Sequence, residues 1–285
     1  MISQSGTTDE NEKGGPFVVN IDTKGNNLFH QVNKDVNSKM EFSECNCAKC
    51  PIVEKICRLE NGKGPKWCPT RTGEEALTSA MKDYRDPEIK EFARQASIQE
   101  GACYANRDAK PFIMIPTKSR IEELFEFSQR MGYKRLGIAF CGGVTHEASI
   151  LSDILEKNGF EVVAVSCKVG GVPKEKIGVK NEEKIKIGKF EPMCNPIMQA
   201  KILNRAKTDF NIMLGLCIGH DSLFLKYIKG LTTVFAVKDR VTGHNPMAAL
   251  YTSKSYYQKL MKMEYGSAEE MKSRLVSGRG KEETS

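Results

Sequence analysis

The chain has 285 residues, 40% of them hydrophobic and 28% charged, with a formal net charge of +7. That length allows one large domain or two smaller ones, and the composition is that of an ordinary soluble protein. No apolar run approaches the roughly 18 residues needed to cross a bilayer. The lysines alternate with glutamates, as in residues 174–189, which describes a solvated surface and argues against a nucleic-acid partner.

The N-terminus, Met1-Ile2-Ser3-Gln4-Ser5-Gly6, has neither the basic region nor the apolar core of a signal peptide, so a cytoplasmic protein is expected. Ten cysteines in a reducing compartment are not explained by structural disulfides. Metal binding, an iron–sulfur cluster, redox chemistry or inert buried thiols are the alternatives. Residues 1–40 form a polar arm with one short apolar strand at 17–21 and a solvated His30.

A cysteine module occupies residues 41–72. Cys47 and Cys50 form a Cys-x-x-Cys pair that a tight turn can aim at one ion, and Cys57 and Cys68 can complete a tetrahedral set. Asn61-Gly62-Lys63-Gly64-Pro65 is loop chemistry, so the segment is too short and irregular to bury a core. A metal would supply that stability, at roughly 10–16 kcal/mol of apparent binding free energy for structural zinc. The spacing does not follow the ferredoxin run, and Cys45 is one thiol more than four ligands require.

Residues 73–264 are expected to form an α/β domain with N-terminal helices. Ala76, Leu77 and Met81 share one helical face; Asp86-Pro87 starts a second helix whose inward face carries Ile89, Phe92, Ala93, Ala96 and a core Cys103. A third runs from Ser119 to Met131, with Ile121, Leu124, Phe125 and Ser128 inward and Gly132 as its stop. Strands are expected at Leu136–Cys141, Glu161–Cys167, Phe210–Cys217 and Thr232–Lys238. Thr145 is the expected N-cap of the helix after the first strand. Asn195 and Asn245, each before a proline, are expected to start later helices. Strands alternating with helices predict a parallel doubly wound, Rossmann-like sheet. Residues 265–285 form a C-terminal tail, beginning as a surface helix near Ser267.

In such a sheet the C-terminal strand ends share one edge, where ligands bind. Cys141, Cys167 and Cys217 end three strands there, Cys194 precedes a helix feeding the same edge, and Gly142 and Gly143 leave clearance beside Cys141. Any one of these thiols alone is more often inert packing. Together they suit three chemistries: a thiolate-held cluster for electron transfer or sulfur chemistry, a metal with an open position, or a metal-free reductase with a low-pKa cysteine and a resolving thiol. His220 and Asp221 are candidate proton donor and orienter, though Asp221 or Ser222 could equally cap a helix. His244 lies at the same edge; Lys238 and Arg240 could hold an anionic group or simply form surface ion pairs. His146 either lines the site or faces solvent. Neither a dinucleotide fingerprint nor a phosphate loop is present.

With these motifs assembled, the chain resembles a family of uncharacterised metal-binding proteins of archaea and anaerobic bacteria, classed as a domain of unknown function. The resemblance covers Cys45 to about Lys262. It rests on Cys-Ala-Lys-Cys at 47–50 with Cys57 and Cys68-Pro69, Phe-Cys-Gly-Gly at 140–143, and Met-Cys-Asn-Pro at 193–196. Gly-Leu-Cys-Ile-Gly-His-Asp-Ser at 215–222, Lys-Asp-Arg at 238–240 and His-Asn-Pro at 244–246 complete it, with Cys45 just outside the pattern. It implies metal binding through cysteines and no established reaction. The expected function is that of a cytoplasmic metalloprotein with two cysteine sites, acting in redox or sulfur transfer on a small molecule as a reductase, sulfurtransferase or desulfidase. The expected cofactor is an iron–sulfur cluster (4Fe-4S), with zinc the alternative at the N-terminal site. Expected partners are a small-molecule substrate or an electron-donor protein, with no nucleic acid or membrane; self-association as a homo-oligomer is left open. The rival function is a non-enzymatic metal carrier, sensor or structural zinc protein.

Overall fold

The computed structural model describes residues 45–262 together with Glu270 and Ser273. The arm at 1–40, with its strand at 17–21 and His30, and the start of the surface helix at Ser267 lie outside the described residues. The chain divides into two compact units between Ala93 and Arg94. Among the described residues no helix is long and apolar enough to cross a membrane.

In the first unit, residues 45–68 hold a one-turn 3-10 helix at Cys47–Lys49 and an isolated bridge between Lys55 and Lys63. Cys68 caps α1 (Pro69–Thr72), whose proline opens the first turn where no N–H is needed. Helix α2 (Glu74–Asp83) buries none of its residues. Leu77 and Met81 share a face of this helix as expected, and that face is open, the two being 61% and 45% exposed. Periodicity identifies a helix face, but only packing determines whether anything covers it. Helix α3 (Pro87–Ala102) starts as expected, with the Asp86 carboxylate accepting the N–H groups of Glu88 and Ile89 at 2.8 and 3.2 Å.

The second unit begins within α3. Its thiol Cys103 is buried and donates to the Gln99 carbonyl at 3.0 Å, as a core cysteine should. A short antiparallel pair, β1 (Tyr104–Ala105) with β2 (Ile115–Pro116), follows; its two-residue strands carry no periodic signal, and the sequence reading contains neither. Helix α4 (Arg120–Arg130) opens with a capping box between Ser119 and Glu122 and stops at Gly132, where φ is 70°. Its buried side chains are Leu124, Phe127 and Ser128.

Four strands then make a parallel sheet in the order β4-β3-β5-β6: β3 (Arg135–Phe140), β4 (Glu161–Ser166), β5 (Phe210–Leu216) and β6 (Thr232–Val237). The two central strands bury nearly every residue, whereas the edge strands β4 and β6 do not. That difference follows from which strands have neighbours on both sides. Connecting the strands are α5 (Thr145–Lys157), α6 (Pro196–Ala206) and α7 (His220–Tyr227), and after β6 come α8 (Met247–Tyr251) and α9 (Lys259–Lys262).

Two expected helix starts are displaced. Residues Gly142–Val144 already form a 3-10 turn, so Val144 is the N-cap of α5 and Thr145 is its first residue, its hydroxyl donating to the Gly142 carbonyl at 2.8 Å. At α8 the cap is Pro246 rather than Asn245, because His244 takes a positive φ of 66° that delays the helical turn. Asn195 caps α6 as expected, accepting the Met198 N–H at 3.0 Å.

The core beneath the strand ends joins Ala139, Val165, Cys167, Leu203, Met213, Leu216 and Phe224, with Cys141 and Cys194 packed against it. Gly137, buried in β3, is required by close approach: a Cβ there would lie 2.4 Å from Asn211 Oδ1 and 3.1 Å from the Leu203 methyls. Gly137→Ala should therefore lower stability by about 1–3 kcal/mol through overpacking. Urea unfolding would show this as a reduced midpoint with an unchanged slope; an unchanged midpoint would contradict it.

Candidate functional site

Three of the four strand-edge cysteines are brought together by the continuation of the sheet's own hydrogen-bond ladder. Each predicted strand end proved one residue too long, so Cys141, Cys167 and Cys217 sit just beyond β3, β4 and β5. The Cys141 N–H still donates to the Leu214 carbonyl at 3.1 Å and the Cys167 N–H to the Phe140 carbonyl at 2.8 Å. Cys194, twenty-seven residues after Cys167 in sequence, is returned to it by the Asn195 N–H, which donates to the Cys167 carbonyl at 2.7 Å. The excursion between them is closed at its base by the Met193 N–H on the Val172 carbonyl at 2.7 Å and by Lys168 Nζ on the Pro192 carbonyl at 2.6 Å.

The sulfurs form a row with Cys167 in the middle. Its side chain belongs to the buried core against which Cys141 and Cys194 both pack, and its sulfur accepts the Gly142 N–H at 3.2 Å. Cys167 is 2% exposed, while Cys141 and Cys194 are half-buried at the C-terminal edge of the sheet. The outer two carry the negative charge. Cys194 is lowered to about 4, first by the Cys167 thiol and then by the His220 imidazole, with Lys168 adding attraction against the cost of burial. Cys141 is lowered to about 5 by the Cys167 thiol, against burial, with help from the Gly143 N–H and the Lys238 ammonium. Cys167 is pushed strongly upward by those same two neighbours and by burial. One proton, held on Cys167, thus serves two flanking thiolates. His220 is raised by the adjacent Cys194 side chain, against the cost of burial, which favours its imidazolium form.

Lys238 and Cys141 both face Gly143: a Cβ there would lie 3.6 Å from Lys238 Nζ and 3.9 Å from Cys141 Sγ, both ordinary contact distances. Lys238 is placed by its own N–H, which donates to the Leu216 carbonyl at 3.1 Å and extends the β5–β6 pairing.

The other candidate residues are placed differently. Cys217 Sγ accepts from Arg240 Nη2 at 3.0 Å. His244 Nδ1 accepts the Asp239 N–H at 3.1 Å, and the Asp239 carboxylate accepts the N–H groups of Val241 and Thr242, so His244 braces the loop after β6. Asp221 lies in the first turn of α7 with its carboxylate accepting from Ser222. His146 is exposed. In the N-terminal module Cys47 and Cys57 are exposed, Cys50 is half-buried and Cys68 is buried; Cys45, also half-buried, donates to the Trp67 carbonyl at 3.5 Å. Among the described residues no group of three or more His, Cys, Asp or Glu side chains is gathered so as to hold a metal ion.

Two residues were not identified from the sequence. Lys168 immediately follows Cys167, and only its charge pointed to a role. Gln199 is fully buried and donates through Nε2 to the Phe140 carbonyl at 3.1 Å and the Val165 carbonyl at 2.7 Å, tying together the strand ends that carry Cys141 and Cys167. A glutamine within a helical pattern gives no sign of this until the sheet is assembled.

The family described as "Protein of unknown function (DUF1847)" matches residues 68–235. The "Uncharacterized protein MJ0455" of Methanocaldococcus jannaschii is 47% identical over 180 residues, covering 63% of this chain and 89% of the relative. No solved structure matches. The family match spans β3 through β5 with Cys68, Cys141, Cys167, Cys194 and Cys217 inside it, and the chain belongs to the DUF1847 family.

Proposed function

We propose that this chain is a thiol-dependent redox or sulfur-transfer protein of the reducing cytoplasm, acting on a small molecule at the crevice of Cys141, Cys167 and Cys194. The observation that carries the reading is the Cys167 thiol set between two half-buried sulfurs at the C-terminal edge of a parallel sheet. A nucleophilic cysteine needs a nearby cation and a position before a helix, and Cys194 has both in His220 and the start of α6. Lys238 and Lys168 favour a substrate that carries negative charge or develops it as a thiolate leaves. The doubly wound arrangement of helices about the sheet belongs to the same proposal.

The test is selective alkylation of anaerobically reduced protein at pH 6 with peptide mapping. Cys141 and Cys194 should be modified well before Cys47, which is exposed but lies outside the crevice. Equal or slower modification of both crevice thiols would overturn the reading and favour a non-enzymatic carrier, sensor or structural protein.

A second element is favoured by a separate observation: residues 45–68 bury only one side chain, Cys68, among the described residues. A segment of that length without a core gains stability from a soft metal. The thiols of Cys47, Cys50, Cys57 and Cys68 have the right donor chemistry for an iron–sulfur cluster or zinc, and the Cys50 N–H on the Cys47 carbonyl at 3.3 Å makes the turn such a pair uses. Their sulfurs are not gathered at one point, so a metal would have to draw them together as it binds. Metal and acid-labile sulfide analysis of anaerobic protein should find one site's worth of iron and sulfide, or of zinc. A Cys47→Ser/Cys50→Ser variant should lose it with crevice alkylation unchanged. Metal-free protein that cannot be reconstituted would refute the metal module alone.

A further inference from the structure

A reductase that uses one attacking and one resolving thiol needs two cysteines, yet the crevice holds three in a row. The middle one is the most buried, each outer one packs against the core cluster it belongs to, and the Asn195 N–H on the Cys167 carbonyl holds Cys194 next to it. The two ends also differ: Cys194 stands beside His220 before α6, whereas Cys141 stands beside Lys238 and the Gly143 N–H. Resting on the reading of the crevice as a reactive thiol centre, we propose that it reduces small-molecule disulfides by a three-cysteine relay in which Cys167 is the shared resolving thiol.

The first bond forms when the Cys194 thiolate attacks one sulfur of R–S–S–R′. The substrate S–S bond breaks, and R′–S⁻ leaves as R′–SH with the proton of the His220 imidazolium. Cys194 now carries R as a mixed disulfide. Cys167 then attacks Cys194 Sγ and expels R–S⁻; the Cys167 proton passes to the His220 imidazole left neutral by the first step and from it to R–S⁻, which leaves as R–SH. Two electrons and two protons have passed to the substrate, and the protein holds a Cys167–Cys194 disulfide. In the last exchange the Cys141 thiolate attacks Cys167 Sγ, forming a Cys141–Cys167 disulfide and releasing Cys194 as a thiolate beside His220. The exchange moves oxidation to the Lys238 end without a further electron. An external dithiol then reduces the Cys141–Cys167 bond and restores the starting state.

Burial explains why Cys167 is the residue in the middle. A thiol that substrate cannot reach does not form dead-end mixed disulfides, and its contacts with both neighbours let one sulfur resolve at either end.

Bis(2-hydroxyethyl) disulfide added to the reduced full-length protein, followed by acid quench and peptide mapping, tests the order. The wild type should pass from Cys194 mixed disulfide to Cys167–Cys194 and then to Cys141–Cys167. Cys141→Ser should accumulate Cys167–Cys194, and Cys167→Ser should stop at the Cys194 mixed disulfide with no disulfide between crevice residues. A lasting Cys194 mixed disulfide in the wild type, or a direct Cys141–Cys194 bond with Cys167 free, would overturn the relay. The wild-type and Cys141→Ser maps decide the matter even if the core substitution at Cys167 impairs folding. Should Cys141 and Cys194 alkylate rapidly while no Cys167-linked disulfide forms, the relay fails and the thiol centre stands. Should neither alkylate faster than Cys47, the thiol centre itself fails.

Discussion

Alkylation of Cys194 by iodoacetamide is expected to proceed at a rate nearly independent of pH from about 5 to 8, while an ordinary thiol speeds up about tenfold per pH unit over that range. With its pKa lowered to about 4 against an unperturbed 9.0, Cys194 is fully thiolate at pH 6. An ordinary cysteine is thiolate in only about one molecule in a thousand at that pH. The gain in rate is smaller than the gain in thiolate, because nucleophilicity falls with basicity at a slope of about 0.4–0.5. Over five pKa units that slope removes roughly a hundredfold or more, leaving Cys194 about three- to tenfold faster at pH 6 and slower than an ordinary thiol near pH 8. The crossing of the two profiles is therefore more diagnostic than either rate.

The groups facing Cys194 are Cys167, His220 and Lys168, and each has a distinct signature. His220→Asn removes the imidazole that lowers Cys194 most after Cys167, so the acid limb should move to higher pH and the plateau shorten. Replacing Lys168 should move it less, since Lys168 acts through charge alone. A Cys194 profile that rises in parallel with that of unfolded protein would show that the crevice does not hold a thiolate there.

Gln199→Ala should be the most destabilising of the substitutions considered, by roughly 2–5 kcal/mol. It removes two hydrogen bonds to carbonyls within the sheet and opens a cavity at a fully buried position. The Phe140 carbonyl retains the Cys167 N–H at 2.8 Å, so the loss is greatest at Val165. Gln199 acts on the chemistry only by position. It bridges β3 and β4 just where their chains hand over to Cys141 and Cys167, and loosening that bridge should let the two sulfurs move apart. Cys141 should then lose part of its shift and alkylate more slowly below pH 7, while Cys194, which also has His220, should change little. Urea unfolding reads the stability and the two alkylation profiles read the position. A destabilised variant with both profiles intact would limit Gln199 to a packing role. Its Oε1 has no hydrogen-bond partner, so Gln199→Met, which keeps the volume and drops the donor, separates the cavity from the lost hydrogen bonds.

Much of the architecture was readable along the chain because local rules and tertiary packing agree there. Asp86 before Pro87, Ser119 with Glu122, and Asn195 before Pro196 are start signals set by the unpaired N–H groups of a helix's first turn, and all three operate. The four strands of the parallel sheet were expected within a residue of where they lie, since continuous apolar runs between glycines and helices describe buried parallel strands. The expected gathering of cysteines at one sheet edge followed from topology alone.

Only the folded chain could sort those cysteines. Cys141, Cys167, Cys194 and Cys217 look alike in sequence, each at an element boundary. Three of them share contacts and one takes Arg240, because side-chain direction depends on the residue-by-residue register of β3, β4 and β5 and on the turn that closes the 168–194 excursion. Gln199 and Lys168 were invisible for the same reason: their partners are backbone carbonyls and sulfurs distant in sequence. Leu77 and Met81 show the converse, a face that periodicity marks and packing leaves exposed. Sequence determined which segments become strands and helices, since that depends on neighbours within a few residues. The tertiary structure decided which thiol lies between which others, since that depends on distances no local pattern encodes.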